Sequence, residues 1–266
     1  MQFWKYQGTG NDFVILNNMD ARIEHTSKTA TILCDRHFGI GSDGLIVIEP
    51  SAEADFKMVF YNPDGSQSFC GNGSRCAVQF AHDQGIIKDL TTRFISTDGE
   101  HHALISSQWI ELSMHDPVFS SDEFSYDGLP IIATALLNTG SPHLVLFIND
   151  NIKITGKEVK EHGARIRYSE TFAKEGVNVN FVAIEAQDKI SIRTYERGVE
   201  DETLSCGTGV TAAGIAYHSL FNKSKGKNTI DVLAQGGQLQ VKFEFGNSYS
   251  KTQLCGPAKM VFAGEI

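Results

Sequence analysis

Two cysteines stand at matching places in this chain of 266 residues, each with the neighbours that make a thiol reactive. Cys70 opens CGNGSRCAVQFA and Cys206 opens CGTGVTAAGIAY; both read C-G-x-G and run into a stretch with helical periodicity. A glycine after the cysteine lets the backbone turn sharply and lets a ligand approach closely. The first N–H groups of a helix have no partner within it and lie at the positive end of its dipole. Such a terminus binds a carboxylate, and the same field lowers the pKa of a thiol beside it. Two such thiols facing one substrate suit one task in particular, removing a proton from a stereocentre and returning one on the opposite face. One sulfur abstracts as thiolate while the other donates as thiol, and the pair serves both directions. The helix starts would hold a substrate carboxylate as its charge spreads into an enediolate. The residues therefore point to a two-base isomerase acting on a carbon acid that carries a carboxylate.

The two motifs lie 136 residues apart, close to half the chain, and other pairs keep nearly the same offset. Tyr61, ending the strand-like DFKMVFYN, corresponds to Tyr195, ending KISIRTYE; Thr9-Gly10-Asn11 before DFVIL corresponds to Thr139-Gly140-Ser141 before PHLVLF. Three matches in one order indicate a duplication. Each half reads as a TG turn and a strand (13–17; 143–148), a helix (27–37; 155–163) and two strands (45–49 and 56–61; 178–184 and 189–196). Each then has the C-G-x-G turn with its helix (72–84; 208–221), and closing strands (92–96, 101–106 and 109–113; 229–234, 237–243 and 251–263). The expected fold is α+β: two pseudo-symmetric domains, each a mostly antiparallel sheet or barrel around a central helix. The expected boundaries are 1–120, completed by a last strand in 256–266, and 121–266, with the active site in the cleft between them. The turn-rich stretch 115–135 is expected to carry the crossover.

Composition is consistent with this reading. The net charge of −9 and pI near 5.4 argue against nucleic acid as a partner, since a phosphate backbone needs a basic face. No apolar run is long enough to span a membrane, and MQFWKYQGTGNDF lacks the basic and apolar regions of a secretory signal, so a cytoplasmic protein is expected. The five cysteines (Cys34, Cys70, Cys76, Cys206 and Cys255) are odd in number and contain no C-x-x-C. A disulfide framework, a structural zinc site and a thiol redox protein are all disfavoured. Cys34 and Cys255 read as small buried residues. Gly39-Ile-Gly41-Ser-Asp-Gly44 matches G-x-G-x-x-G but follows a helical pattern and precedes a strand, the reverse of a dinucleotide site. Gly207-Thr-Gly209-Val-Thr-Ala212 opens a helix, but a loop separates it from the preceding strand, where a dinucleotide-binding turn is tight.

KYQGTGNDFVILN, DRHFGIGSDGLIVI, YNPDGSQSFCGNGSRC, TGSPHLV, EGVNVNFV and YERGVEDETLSCGTGVTAA together resemble the diaminopimelate epimerase family over essentially the whole length. The resemblance implies an epimerase that needs neither pyridoxal phosphate nor any other cofactor, and no metal. It would interconvert LL- and meso-2,6-diaminopimelate, in the synthesis of lysine and peptidoglycan precursors. A homodimer is compatible with it. A proline or hydroxyproline racemase of the same fold is the alternative.

Carried over position by position, the resemblance makes Cys70 and Cys206 the acid and base, and gives the reacting carboxylate to Gly71, Asn72, Gly207 and Thr208. It makes Asn11, Asn62, Asn178, Glu196 and Arg197 substrate contacts, with His143 and Glu196 tuning the cysteines. An arginine suits a distal carboxylate, and asparagines can serve both an ammonium and a carboxylate. Blander roles compete: Asn62 precedes Pro63-Asp64-Gly65 as a turn residue would, Asn11 could cap the TG turn, His143 could be a satisfied core histidine, and Glu196 and Arg197 a surface pair. Three positions depart from the family pattern. Ser141 stands where many members have asparagine, Gly44 where some have glutamine, and the acidic loop 198–203 is one residue longer than usual, placing three carboxylates near a thiolate.

Overall fold

The structure, a computed structural model, describes residues 1–107, 109–122, 124–149 and 154–266. It divides into two units, Met1–Ser113 with Cys255–Ile266, and Met114–Leu254. The division falls between Ser113 and Met114, several residues before the expected boundary at 120.

In the first unit the strands are β1 (Gln2–Gly8), β2 (Asn11–Asn17), β3 (Gly44–Glu49), β4 (Phe56–Tyr61), β5 (Thr91–Ser96), β6 (Gly99–Ile105) and β7 (Ile110–Ser113), with the chain's last strand, β17 (Lys259–Glu265). The pairing runs β17–β1–β2–β3–β4–β5–β6–β7, antiparallel except at β2–β3 and β4–β5. Parallel neighbours need a crossover. Helix α1 (Ser27–Cys34) supplies the first and helix α2 (Gly71–Asp83) the second. β2 and β3 read as continuous apolar runs because both their faces are covered: DFVIL and GLIVI have no exposed residue. On one side Val14, Leu16, Leu45 and Val47 pack with Ala30, Leu33 and Cys34 of α1. α2 is buried on nearly every side, from Gly71 through Val78, and touches β1, β2, β3, β4, β6, β7 and β17. It is the central helix of its unit.

The second unit repeats the plan. β8 (Val118–Phe119), β9 (Ile131–Asn138), β10 (Pro142–Ile148), β11 (Asn178–Ala186), β12 (Lys189–Glu196), β14 (Gly226–Ala234) and β15 (Gly237–Phe245) pair in that order, antiparallel except at β10–β11 and β12–β14. Helix α3 (Gly156–Arg167) crosses between the first parallel pair and helix α4 (Gly207–Tyr217) between the second. The short β13 (Asp201–Thr203) lies beside the end of β12, and β16 (Tyr249–Gly256) begins in this unit and passes at Cys255 into the segment assigned to the first. α4 is buried throughout except at Thr208 and touches β9, β10, β11, β12, β14 and β15. The mostly antiparallel α+β architecture around a central helix is thus present in each unit.

Several elements differ from the sequence expectation for local reasons. α1 stops at Cys34, not 37, because the Asp35 carboxylate accepts from the His37 and Phe38 amides and turns the chain out of the helix. α3 runs on to Arg167, and a capping box at Thr155 and Glu158 fixes its start. α4 ends at Tyr217 and continues as a π-helical turn, His218–Asn222. The single strand expected over 251–263 is two, β16 and β17, separated at Pro257-Ala258, since proline has no N–H for a ladder. Within the turn-rich stretch 115–135, residues 131–135 already belong to β9, whose run Ile131-Ile132-Ala133-Thr134-Ala135 is apolar on both faces and shows no strand-like alternation; Glu123 lies outside the described residues. No described helix is long and apolar enough to cross a membrane.

Candidate active site

Cys70 is the N-cap of α2 and is half-buried, with extended backbone (φ −135°, ψ 108°). The Gly73 amide donates to its sulfur at 3.4 Å, so the helix start reaches the thiol directly. Around it lies a chain of amides whose polarity is fixed. Arg75 Nη2 donates to Asn72 Oδ1 at 3.0 Å, which leaves Asn72 Nδ2 to donate to Asn11 Oδ1 at 3.2 Å. Asn11 Nδ2 donates to Asp43 at 2.7 Å, and the Cys70 thiol reaches Asn11 Oδ1 at 3.9 Å. Asp43 is in turn bridged by Arg36 (2.7 Å), which also binds Asp12 (2.8 Å), while Lys5 meets Asp12 at 2.6 Å and donates to the Gly41 carbonyl. Burial pulls the Asp12 carboxyl upward, but its bonds to Arg36 and Lys5 prevail and hold it at about 2. Asn62 acts as the turn reading expects: its Nδ2 spans Ser66 Oγ (3.0 Å) and Ser68 Oγ (3.1 Å), shaping the loop that delivers Cys70.

Cys206 is the N-cap of α4, 7% exposed, again extended (φ −111°, ψ 112°). Thr208 Oγ1 lies 3.5 Å from its sulfur. The same hydroxyl meets His143 Nε2 at 2.9 Å and Ser141 Oγ at 3.1 Å. His143 is fully buried on β10; burial first, and the Arg197 charge second, push its pKa down to about 3, so it is neutral. Asn178 donates from Nδ2 to the Pro142 carbonyl (3.0 Å) and to Ser141 Oγ (3.3 Å), and accepts from the Arg197 amide at 2.9 Å. Glu196 accepts from Thr203 at 2.8 Å, and the exposed Arg197 donates to the Glu175 carbonyl at 2.9 Å. The first unit therefore gathers Asn11, Cys70, Gly71 and Asn72, with Asn62 on the approach. The second gathers His143, Asn178, Cys206, Gly207 and Thr208, with Glu196 and Arg197 at the end of β12 and just beyond it.

The three departures each have a physical account. The Ser141 hydroxyl is short enough to sit between Asn178, His143 and Thr208, so it joins the polar network rather than reaching outward. At Gly44 a Cβ would meet the Phe60 ring at 2.4 Å and the Tyr61 carbonyl at 3.0 Å, so no side chain fits there. The carboxylates of the acidic loop are engaged: Glu202 grips Arg193 through two bonds (2.6 and 2.7 Å), Asp201 pairs with Lys160 at 2.5 Å, and Glu200 accepts from the Gly198 amide and Tyr195. Their negative charge is compensated at short range.

Arg75, Asp43 and Asn180 went unnoticed in the sequence. Asn-x-Asn at 178 and 180 was a usable signal, because alternate residues of a strand share a face. The remaining cysteines, Cys34, Cys76 and Cys255, are buried, and burial raises the thiols of Cys34 and Cys76. Among the described residues no cluster of His, Cys, Asp and Glu is suited to a metal.

Comparison with known proteins converges on one family. The diaminopimelate epimerase family profile matches residues 3–116 and 135–261. A diaminopimelate epimerase from Flavobacterium psychrophilum is 48% identical over 271 residues, covering 100% of both chains. Another from Aquifex aeolicus is 37% identical over 280 residues, covering 100% of this chain and 98% of its own. Among solved structures, a phenazine biosynthesis protein of the PhzF family from Bacillus anthracis superposes with a TM-score of 0.78 at 14% identity, covering 100% of this chain and 98% of that one. A hydroxyproline epimerase from Agrobacterium vitis, with bound trans-4-hydroxy-L-proline, gives 0.69 at 14% identity, covering 99% and 91%. These structural likenesses show a shared fold, whereas the sequence matches carry the assignment: the chain belongs to the diaminopimelate epimerase family.

Proposed function

We propose that the protein interconverts LL- and meso-2,6-diaminopimelate by a two-base mechanism in which Cys70 and Cys206 exchange the roles of acid and base. The observation that carries the reading is the repeated placement of a cysteine as N-cap of a buried helix, each with its own fixed polar network. A thiolate takes the α-proton, and the C–H electron pair passes into the carboxylate as an enediolate. The opposite thiol gives its proton to the other face of the carbon, so the two sulfurs end with their protonation states exchanged. The first amides of α2 and α4, at Gly71-Asn72 and Gly207-Thr208, supply N–H donors where that charge develops. Asn11, Asn62, Asn178 and Glu196 would read the ammonium and carboxylate ends, and the Arg197 guanidinium suits the distal carboxylate. Such a substrate is a small zwitterion, which fits an acidic protein better than nucleic acid would. The pathway is that of lysine and peptidoglycan precursors, with the cytoplasm as its expected setting.

Incubation of reduced protein with either isomer in deuterated water should place deuterium at one α-carbon and produce the other isomer. Cys70→Ser and Cys206→Ser should each abolish interconversion, since an alcohol is a far poorer base than a thiol near neutral pH. Absence of both exchange and isomer would refute the reading. Activity on proline or hydroxyproline alone would favour the racemase alternative, which rests on fold likeness.

A further inference from the structure

Asn180 is fully buried on β11, two residues beyond Asn178 and on the same face. The orientation of its amide is determined by its neighbours. The Leu144 carbonyl, which can only accept, lies 3.1 Å from Nδ2, and Thr194 Oγ1 donates to Oδ1 at 3.0 Å. Reversed, the amide would set two oxygens against each other. An amide nitrogen accepts nothing, so His143 Nδ1, 3.1 Å from Nδ2, is the acceptor of its other proton, with the Asn178 carbonyl farther off at 3.4 Å. A neutral imidazole carries one N–H, and with Nδ1 accepting, that proton sits on Nε2.

The consequence runs on to sulfur. Nε2–H is 2.9 Å from both Thr208 Oγ1 and Ser141 Oγ. Ser141 also receives a proton from Asn178, whose amide is fixed by the Pro142 carbonyl and the Arg197 N–H. The Ser141 hydroxyl proton is then directed to Thr208 Oγ1 at 3.1 Å. Thr208 accepts from two donors, and its own proton is left to point at Cys206 Sγ, 3.5 Å away. We propose that Asn180 is a positioning residue that selects the His143 tautomer and so makes Thr208 donate to Cys206, favouring the thiolate at that helix start.

The charged groups around this chain do not substitute for it. Arg197 adds to the cost of a cationic His143, Glu196 is engaged by Thr203, and Glu202 is held by Arg193. Packing explains how the amide comes so close to the helix. A Cβ at Gly209 would lie 2.5 Å from Asn180 Oδ1 and 3.3 Å from His143 Cε1, so the second glycine of C-G-x-G makes room for it.

The proposal rests on the two-thiol reading, but its test needs no substrate. Nitrogen-15 NMR of histidine-labelled protein at neutral pH should show His143 protonated at Nε2 and bare at Nδ1. In a Cys70→Ser background, the pH dependence of alkylation at Cys206, followed by peptide mass, should move up by about one unit on Asn180→Leu. That slows the reaction near neutral pH roughly tenfold, as expected for losing one hydrogen bond to a charged group. Thr194→Val, which frees the amide to turn, should shift it the same way by less. Cys70, followed in a Cys206→Ser background, should be unaffected by either change. An Nδ1-protonated His143 in the unsubstituted protein would overturn the proposal. So would a Cys206 profile that neither substitution moves. Should Asn180→Leu fail to fold, the spectrum and Thr194→Val still decide. Failure of α-proton exchange with these readouts intact would instead count against the proposed function alone.

Discussion

Acidification should destabilise the fold by the cost of placing a proton on His143, and the size of the effect follows from its burial. The imidazole ordinarily titrates near 6.5 and is held down to about 3 in the fold, first by burial and then by the Arg197 charge. The unfolded chain therefore binds a proton at this position over a range where the folded chain does not. Stability from the neutral ring is fully present above the unfolded pKa and is lost as pH falls through 6.5 towards about 3. Each unit of pH inside that window costs about 1.4 kcal/mol, so moving from about pH 7.5 to about pH 4.5 removes roughly 2.5 kcal/mol. His143→Gln keeps an amide near the Nε2 position but has nothing to titrate. Urea unfolding of both proteins at the two pH values isolates the term, because other groups cancel in the difference. Among these are Asp12, whose depressed carboxyl loses its contribution only as pH falls below its ordinary 3.8 towards about 2, and His218, itself held down by burial. The variant should start less stable and close on the parent by roughly 2.5 kcal/mol on acidification. Parallel stability profiles would refute the reasoning, since His143 would then gain its proton as readily folded as unfolded.

Two further substitutions probe the networks. Arg75 is fully buried, and its Nε and Nη1 have no hydrogen-bond partner among the described residues, so Arg75→Met should leave unfolding stability unchanged or raise it by about 1–3 kcal/mol. The same change should lower kcat/KM about tenfold by releasing the Asn72 amide, and parallel losses of stability and activity would contradict it. Gly209→Ala drives a methyl group to within 2.5 Å of Asn180 Oδ1. It should cost about 1–3 kcal/mol in thermal unfolding and depress epimerisation, and an unperturbed Tm would show that the helix start has room to shift.

The duplication was legible because its carriers are residues with few substitutes. The glycines and cysteines of the two C-G-x-G turns, and the tyrosines that end β4 and β12, mark equivalent points of one backbone plan. The strands that escaped notice escaped for a physical reason. β9 reads IIATALLN, apolar on both faces and so without alternation. In β1 the adjacent Phe3 and Trp4 and the buried Lys5 break the alternation, and β8 and β13 are only two and three residues long. Helix ends were misplaced where a single side chain decides them, as Asp35 does for α1. Within the site, Cys70 and Cys206 could be read from local context. The residues that fix their surroundings could not, because the Asn180 amide acquires its meaning from Leu144, Thr194 and His143, which come together only once β10, β11 and β12 are paired.

What the two halves share and what they do not share have different consequences. The shared part is backbone: a strand, a glycine turn and a buried helix whose first amides face outward, which is all that holding a carboxylate requires. The unshared part is the side chains behind each thiol. Cys70 is backed by a charged set, Lys5, Asp12, Arg36 and Asp43, that locks Asn11 with its oxygen towards the sulfur. An oxygen there can only accept, so it favours the protonated thiol and works against the Gly73 amide. Cys206 is backed by neutral groups, His143, Ser141, Asn178 and Asn180, whose protons run one way towards Thr208. In the proposed mechanism one sulfur is thiolate and the other thiol, and each conversion exchanges the two states, so unlike surroundings would bias which of the two forms predominates before substrate arrives. Divergence of the side chains on a duplicated backbone would supply that bias, while Asp201 and Glu202, which precede the second cysteine in sequence, are paired locally with Lys160 and Arg193.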